Sequence, residues 1–509
     1  MEWFEDKEEV LISEQCDFAT DQKNEQKLLE LAEQCKKLGD DKNFHPVLRA
    51  KYYYNSFTCF SNYSWIAAKV GEDREELQEK SLLLSRKSIL LLEAYHPNII
   101  SEIEEAYFNG LYFQVVVNHC NLLIEIFRIP QAISIIKRVA KNGFGMAIGN
   151  LGMELKDYAM LEDDEENKQF LFEKSALLLK YVNLMPSADV HTDAKKRFEK
   201  ELLCILGENP EKKWESLKDI RYWENLEEKS KDYHVSEEDY WEWCQKNSLI
   251  LDVKNDIETN MEMFDNLHLP SIVASIKETT PKFHGLFNQI KQEYCSARFM
   301  MFEGIYSEKH FSDKHVKLVN TLDYSDYGLG IERMKASFRA CYSVLDRIAY
   351  FLNDYYNLGL NDNKVDFGKI WNAKNTKKLR EASQKNLILR ALFWMKKDLS
   401  PKPIKDFSEF LDPMLNRAYV LRNTIEHRYL KVVNDIFILN SEELTDPLAT
   451  VISMSSFQEI SLYLLKTCRE SIILLYLAII AEERNKQSNL EGEVLPSFLL
   501  SEFDDDWKV

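Results

Sequence analysis

The segment Leu421-Arg422-Asn423-Thr424-Ile425-Glu426-His427-Arg428-Tyr429-Leu430 sets a guanidinium and an imidazole five residues apart. On a helix that spacing separates them by about 140°. They do not stack, but a long arginine side chain lets both tips converge on one phosphate held over the helix. Asn423 lies four positions before His427 and shares its face. Imidazole titrates near pH ~6.5, so it takes or gives a proton at neutral pH. Guanidinium keeps its charge and forks onto phosphate oxygens, stabilising negative charge as it builds in a transition state. Arg422 and His427 are therefore the candidate catalytic pair, with Asn423 orienting either of them. Asp346, on a preceding helix, is a supporting candidate that would hold Arg422 or His427, or else pair with a neighbouring helix. Glu426 is either an acid at the site or a helix-surface partner of a residue four positions away.

Competing chemistries find less support. The chain contains no P-loop, no G-x-S-x-G and no H-E-x-x-H. Gly143-Phe144-Gly145-Met146-Ala147-Ile148-Gly149 does not fit G-x-G-x-x-G and reads as a small-residue packing surface between helices. Glu308, His310, Asp313 and His315 cluster, but two histidines five apart fall on different helical faces. No metal and no cofactor is expected.

The net charge of −19 excludes a protein whose whole surface coats nucleic acid. Any RNA contact must come from a local patch. Residues 364–405 carry twelve Lys or Arg against three acids, with Trp371 and Trp394 interleaved. Lys374, Lys377, Lys378, Arg380, Lys385, Arg390, Lys396 and Lys397 are thus candidates for phosphate neutralisation. The alternative is a basic helix docked on the acidic front half.

The elements that must position these residues read as helices throughout. Only 15 Gly and 12 Pro occur in 509 residues, and 45% of residues are hydrophobic, which favours long helices around large cores. Residues 1–25 read as a polar lead-in. From Lys27 the apolar positions fall three and four apart. An echo follows: Tyr54-Asn55-Ser56 with Glu79-Lys80-Ser81-Leu82, then Gly149-Asn150-Leu151-Gly152 with Glu173-Lys174-Ser175-Ala176, offset by about 94 residues. A third copy is centred on Phe108-Asn109-Gly110-Leu111 and leads to Ile129-Pro130-Gln131-Ala132. This resembles degenerate tetratricopeptide (TPR) repeats, in which stacked helical hairpins bury faces that one hairpin cannot bury alone. The predicted fold is all-α: a TPR-like repeat domain over 26–206, a Trp-rich bridging segment over 207–250 with Trp214, Trp223, Trp241 and Trp243, a helical bundle over 251–485, and an acidic tail over 486–509. Helices are expected near 284–304, 328–357, 378–398, 411–433 and 455–484.

Nine singly spaced cysteines, without a C-x-x-C pair, fit a reduced compartment. The opening MEWFEDKEEV lacks the apolar run of a secretory signal. Ile472 to Ala481 is about half of what spans a bilayer and reads as one buried helix. A cytoplasmic protein without membrane contact is expected.

The bundle's text adds a family. Phe287-Asn288-Gln289-Ile290-Lys291-Gln292-Glu293-Tyr294, Ser296-Ala297-Arg298, His310-Phe311-Ser312-Asp313-Lys314, Asn320-Thr321-Leu322-Asp323-Tyr324, Ser343 with Leu345-Asp346-Arg347-Ile348-Ala349, and Arg422-Asn423 to His427 occur in order. This text is similar to the HEPN superfamily, helical domains marked by R-x4-6-H, of the type fused behind TPR-like repeats in bacterial proteins. The resemblance implies metal-independent RNA cleavage, in which the ribose 2′-OH attacks its adjacent phosphate. It also implies a homodimer through the HEPN domain that joins two motifs across a cleft. The expected protein is an endoribonuclease effector of toxin or phage-defence type, with the repeats receiving a protein or peptide trigger. The alternative is a dimeric TPR/HEPN scaffold or RNA-binding protein without catalysis. A nucleotidyl-transfer reading lacks any matching segment.

Overall fold

The computed structural model describes residues 3, 7–99, 101–186, 190–207, 231–259, 261–273, 281–320, 325–372, 377–400, 402, 411–438, 448–489, 500, 501, 503 and 505–508. The front half is a run of helices: α1 (Lys7–Asp21), α2 (Glu25–Asp40), α3 (Pro46–Ile66), α4 (Gly71–Tyr95), α5 (Glu102–Glu125), α6 (Ile129–Lys141), α7 (Gly145–Leu161), α8 (Glu165–Leu184) and α9 (Thr192–Leu206). Asn24, Ser101 and Asp164 each accept the backbone N–H three residues on, fixing the starts of α2, α5 and α8. Each of these helices packs on the next, and α3, α5, α7 and α9 also meet their next-but-one neighbours in one layer. The echoed residues fall on two hairpins of this stack, α3–α4 and α7–α8, with the third copy on α5–α6 between them.

Residues 1–25 differ from the expected lead-in. Lys7–Asp21 is a helix whose Ile12, Cys16 and Ala19 are buried, because they recur at helical spacing and meet α2 and α3. Of the predicted small-residue surface, Gly149 serves packing, as does Gly152 one turn on, whereas Gly143 lies in a left-handed turn with nothing within 4 Å of a built Cβ. A Cβ built on Gly149 would lie 2.2 Å from Phe198 Cε2 of α9. Gly152 abuts Leu179, and its carbonyl accepts the Ser175 hydroxyl at 2.6 Å. Gly149→Val is therefore expected to cost about 1–3 kcal/mol in urea melts. Gly110→Ala on α5, with nothing within 4 Å, is expected to gain up to about 1 kcal/mol. A neutral Gly149→Val would refute the close packing.

The chain then wedges between the halves. Within α10 (Glu237–Lys246) Trp243 is buried and Trp241 half-buried, and Leu249, Ile250, Leu251, Leu267 and Leu269 are buried beyond it. Trp214 and Trp223 lie outside the described residues. The C-terminal half comprises α11 (Lys282–Tyr306), α12 (Leu329–Tyr355), α13 (Lys377–Lys385), α14 (Leu387–Asp398), α15 (Pro413–His427), β1 (Tyr429–Val433), α16 (Asp435–Ile438), β2 (Ala449–Ser453) and α17 (Met454–Ser488). Ile472 to Ile480 are all buried in α17, which packs on α11, α12, α14 and α15 and also on α6 and α7. A helix apolar all round belongs at the centre of a core. One apolar cluster runs from Ile12 to Ile480, so the two halves share a core. Among the described residues no helix is long and apolar enough to cross a membrane.

The helix expected over 411–433 stops at His427. Arg428 turns extended, its N–H reaching Thr424 O at 2.9 Å. Tyr429-Leu430-Lys431-Val432-Val433 then forms a strand parallel to Ala449–Ser453, with Tyr429 opposite Ala449. Aromatic and β-branched residues suit the pleated strand better than the helix. The small sheet is an addition to an otherwise helical fold.

Candidate active site

The motif helix α15 has a well-defined start. Asp412 caps it, accepting the Leu415 N–H at 3.0 Å, and Pro413 occupies the first turn. Leu415, Ala418, Leu421 and Ile425 bury one stripe against the bundle. That burial leaves Arg422 and Asn423 half-buried and Glu426 and His427 exposed at the helix end.

Arg422 and Glu426 line a cleft of about 310 Å³ together with α12. From α12 come Arg339, Tyr342, Ser343, Asp346, Arg347 and Tyr350. The Arg422 guanidinium lies 5.0 Å from the Tyr342 ring centroid, a cation–π contact. Burial pushes the Tyr342 phenol up, with the Arg422 charge working against it. Arg339 spans the end of the motif helix, donating to Ile425 O and to Glu426 Oε1, both at 3.1 Å. It thereby covers one of the last helix carbonyls. Arg347 reaches Glu293 on α11 at 3.3 Å, and the Ser343 hydroxyl donates to the same carboxylate at 3.1 Å.

The sequence-predicted residues separate into two groups. Arg422, Asp346 and Glu426 share the cleft, whereas Asn423 and His427 are not among the residues lining it. Asp346 Oδ1 accepts the Phe367 N–H at 3.0 Å, so its hydrogen bond anchors the following loop and not Arg422 or His427. Burial holds this carboxyl above the usual carboxylate range, with Asp366 adding, while the Phe367 N–H and Arg422 pull the other way. Glu426 is the ion-pair partner of Arg339 on α12, so its partner comes from another helix and not from four positions away on its own. Arg339, Tyr342 and Arg347 were not singled out from the sequence as site residues. Their signal was spacing: 339, 343 and 347, with 342, 346 and 350, make adjacent polar rows on one face of α12.

The basic stretch needs correction as an RNA surface. Arg380 pairs with Glu72 at 3.0 Å, Arg390 with Glu75 at 3.3 Å, and Lys397 with Glu75 at 3.4 Å and with Glu79. Arg390 and Lys397 join α14 to the acidic face of α4, where opposite charges in a partly shielded interface attract more than in water, whereas the Arg380–Glu72 pair is exposed. Trp371 and Trp394 are buried, so neither offers a face to a base. Lys396 is half-buried, Lys378 reaches Asn357 O at 3.3 Å, Lys377 lies 3.6 Å from Glu381, and Lys385 is exposed. Lys374 lies outside the described residues. In the 308–315 cluster, Asp313 receives the Leu329 N–H at 3.0 Å and so holds the start of α12.

No curated protein and no solved structure matches the chain. A protein-family model, the LA2681-like HEPN domain, matches residues 274–482, which include the α12 face, Arg422 and His427. Residues 274–482 of this chain are therefore an LA2681-like HEPN domain.

Proposed function

We propose that the protein is a metal-independent endoribonuclease effector, of toxin or phage-defence type, acting in the cytoplasm through Arg422 and His427. The observation that carries this reading is the open cleft holding Arg422 beside Arg339 and Arg347, with His427 exposed on the next turn of the same helix. Three guanidiniums around one opening suit a phosphodiester. In the reaction, the ribose 2′-oxygen bonds to phosphorus and the bond to the 5′-oxygen breaks. One imidazole takes the 2′-OH proton, and a second acid returns a proton to the leaving oxygen. One chain supplies one such motif, so the working site is a homodimer through the HEPN domain, with a second copy of His427 as the second acid. Asn423 orients His427 or the scissile phosphate.

The test is incubation of the full-length protein with total RNA in chelator, with analysis of the ends formed. Fragments bearing 5′-OH and cyclic phosphate are expected, and mass photometry should give twice the chain mass. Because Arg339 fastens the motif helix end, Arg339→Gln is expected to slow cleavage about tenfold, with Arg339→Lys between it and the parent. Its effect on the melting temperature is expected to be small, as the Arg339–Glu426 pair is exposed. Equal cleavage rates for all three would remove Arg339 from the site.

The pairing of Arg380, Arg390 and Lys397 with α4 favours a second reading, a dimeric scaffold without catalysis. Intact RNA under every condition, from a protein that is dimeric, would select it.

A further inference from the structure

A wide opening of the front half lies on the layer formed by α3, α5, α7 and α9, closed at one side by α1. Its volume is about 1360 Å³, beyond the ~300–1,000 Å³ of ordinary small-molecule pockets. Along its floor the Asn150 amide donates to Asn121 Oδ1 at 2.9 Å, Asn121 to Asn118 Oδ1 at 3.5 Å, and Asn118 to the Tyr54 hydroxyl at 2.7 Å. Each carboxamide has two N–H donors and an acceptor oxygen. The row therefore keeps donors and acceptors for a peptide main chain, whose own groups recur every ~3.3 Å when extended.

The charge of the lining is one-sided. Six carboxylates face the two arginines Arg74 and Arg197, and Arg74 is already held by Glu125 at 2.8 Å. Glu154 is the informative one. It lines the groove from α7, is 4% exposed, and neither of its carboxylate oxygens has a hydrogen-bond partner among the described residues. A carboxylate buried without a partner is costly, and a cation brought to it would remove that cost. Burial, with Asp157 adding, pushes its carboxyl well above the usual range.

We infer that this groove binds an extended basic peptide segment, its main chain on the row of Asn118, Asn121 and Asn150 and a lysine or arginine side chain at Glu154. The inference supplies the chemical class of a trigger for the proposed effector, yet it does not rest on Arg422 chemistry. Its test reads binding alone, so its failure and the failure of the nuclease reading are separate results.

The test uses the full-length protein and a fluorescein-labelled dodecapeptide of alternating lysine and alanine, followed by anisotropy at physiological salt, where long-range attraction is screened. Saturable binding is expected, with none for the alternating glutamate–alanine peptide. Glu154→Gln should weaken it about tenfold, as loss of a charge-assisted bond implies. The double variant Asn121→Ala/Asn150→Ala should weaken it comparably. Glu332→Gln, on the exposed face of α12 in the other half, should leave it unchanged, and spermidine at equal charge should fail to displace the peptide. Circular dichroism verifies that each variant is folded. If Glu154→Gln does not fold, the asparagine pair decides. Absence of saturable binding, equal weakening by Glu332→Gln, or full displacement by spermidine would overturn the inference.

Discussion

RNA cleavage by His427→Ala is expected to fall at least about a thousandfold, and by Arg422→Ala about a hundredfold or more, in line with loss of a general acid–base and of a charge-stabilising donor. The two losses have different physical origins. His427 is exposed at the end of α15 and its side chain makes no hydrogen bond among the described residues, so its removal subtracts proton transfer and little else. The melting temperature of His427→Ala should match the parent, since exposed substitutions fall within about 0.5 kcal/mol. Arg422 has a structural contact with the Tyr342 ring, worth about 0.5–1 kcal/mol. A small stability loss is expected alongside the large kinetic one. Arg422→Lys keeps the charge but loses the fork, and should remain impaired. Rates measured under single-turnover conditions on one short RNA give the comparison. Parent-like cleavage by either alanine variant would end the proposal that this pair performs the reaction.

The motif was legible because arginine and histidine announce their chemistry by residue type alone. The helix carrying it was legible too: Asp412-Pro413 is a start signal that needs no tertiary context. Its end was not. Tyr429 to Val433 is a short apolar run that suits strand or helix equally, and only pairing with Ala449–Ser453 decides between them. Alpha-1 was hidden for a related reason, since its acidic residues dominate the composition while Ile12, Cys16 and Ala19 carry the helical stripe. The basic stretch shows the sharper limit. Arg380, Arg390 and Lys397 have the composition of a phosphate-binding surface, and their carboxylate partners lie some three hundred residues earlier on α4. Charge excess is local information, whereas charge pairing is not. Arg339 and Arg347 sit between these cases, because their polar rows along α12 are visible in the sequence but their position opposite Arg422 comes only from packing.

Arg128→Met is expected to destabilise the whole chain by about 3–5 kcal/mol, the usual cost of leaving buried charges unpaired. The Arg128 guanidinium is 2% exposed and reaches Glu470 on α17 at 2.6 and 2.7 Å and Asp398 on α14 at 2.7 Å. Asp398 is shared with Arg86 of α4, again at 2.7 Å, and the two guanidiniums hold its carboxyl below the usual range although burial alone would raise it. Arg86 in turn donates to Leu411 O at 2.8 Å and approaches Asp412, the cap of α15, at 3.7 Å. The Tyr463 hydroxyl completes that cap at 2.8 Å. Helix α4 and the residue that precedes α6 are thus tied through buried charge to the cap of the helix bearing Arg422 and His427. Removing Arg128 leaves Glu470 without its fork and Asp398 with one cation in place of two. The double variant Arg128→Met/Glu470→Met, which removes both charges, should recover much of the loss, because apolar replacements of a buried pair are often neutral. Urea melts at neutral pH read the stability, and one cooperative transition is expected since a single core spans both halves. An Arg128→Met protein within about 1 kcal/mol of the parent would show that this network contributes little. A parent-like core with a separately melting HEPN half would show that the network, and not the shared apolar core, joins the two.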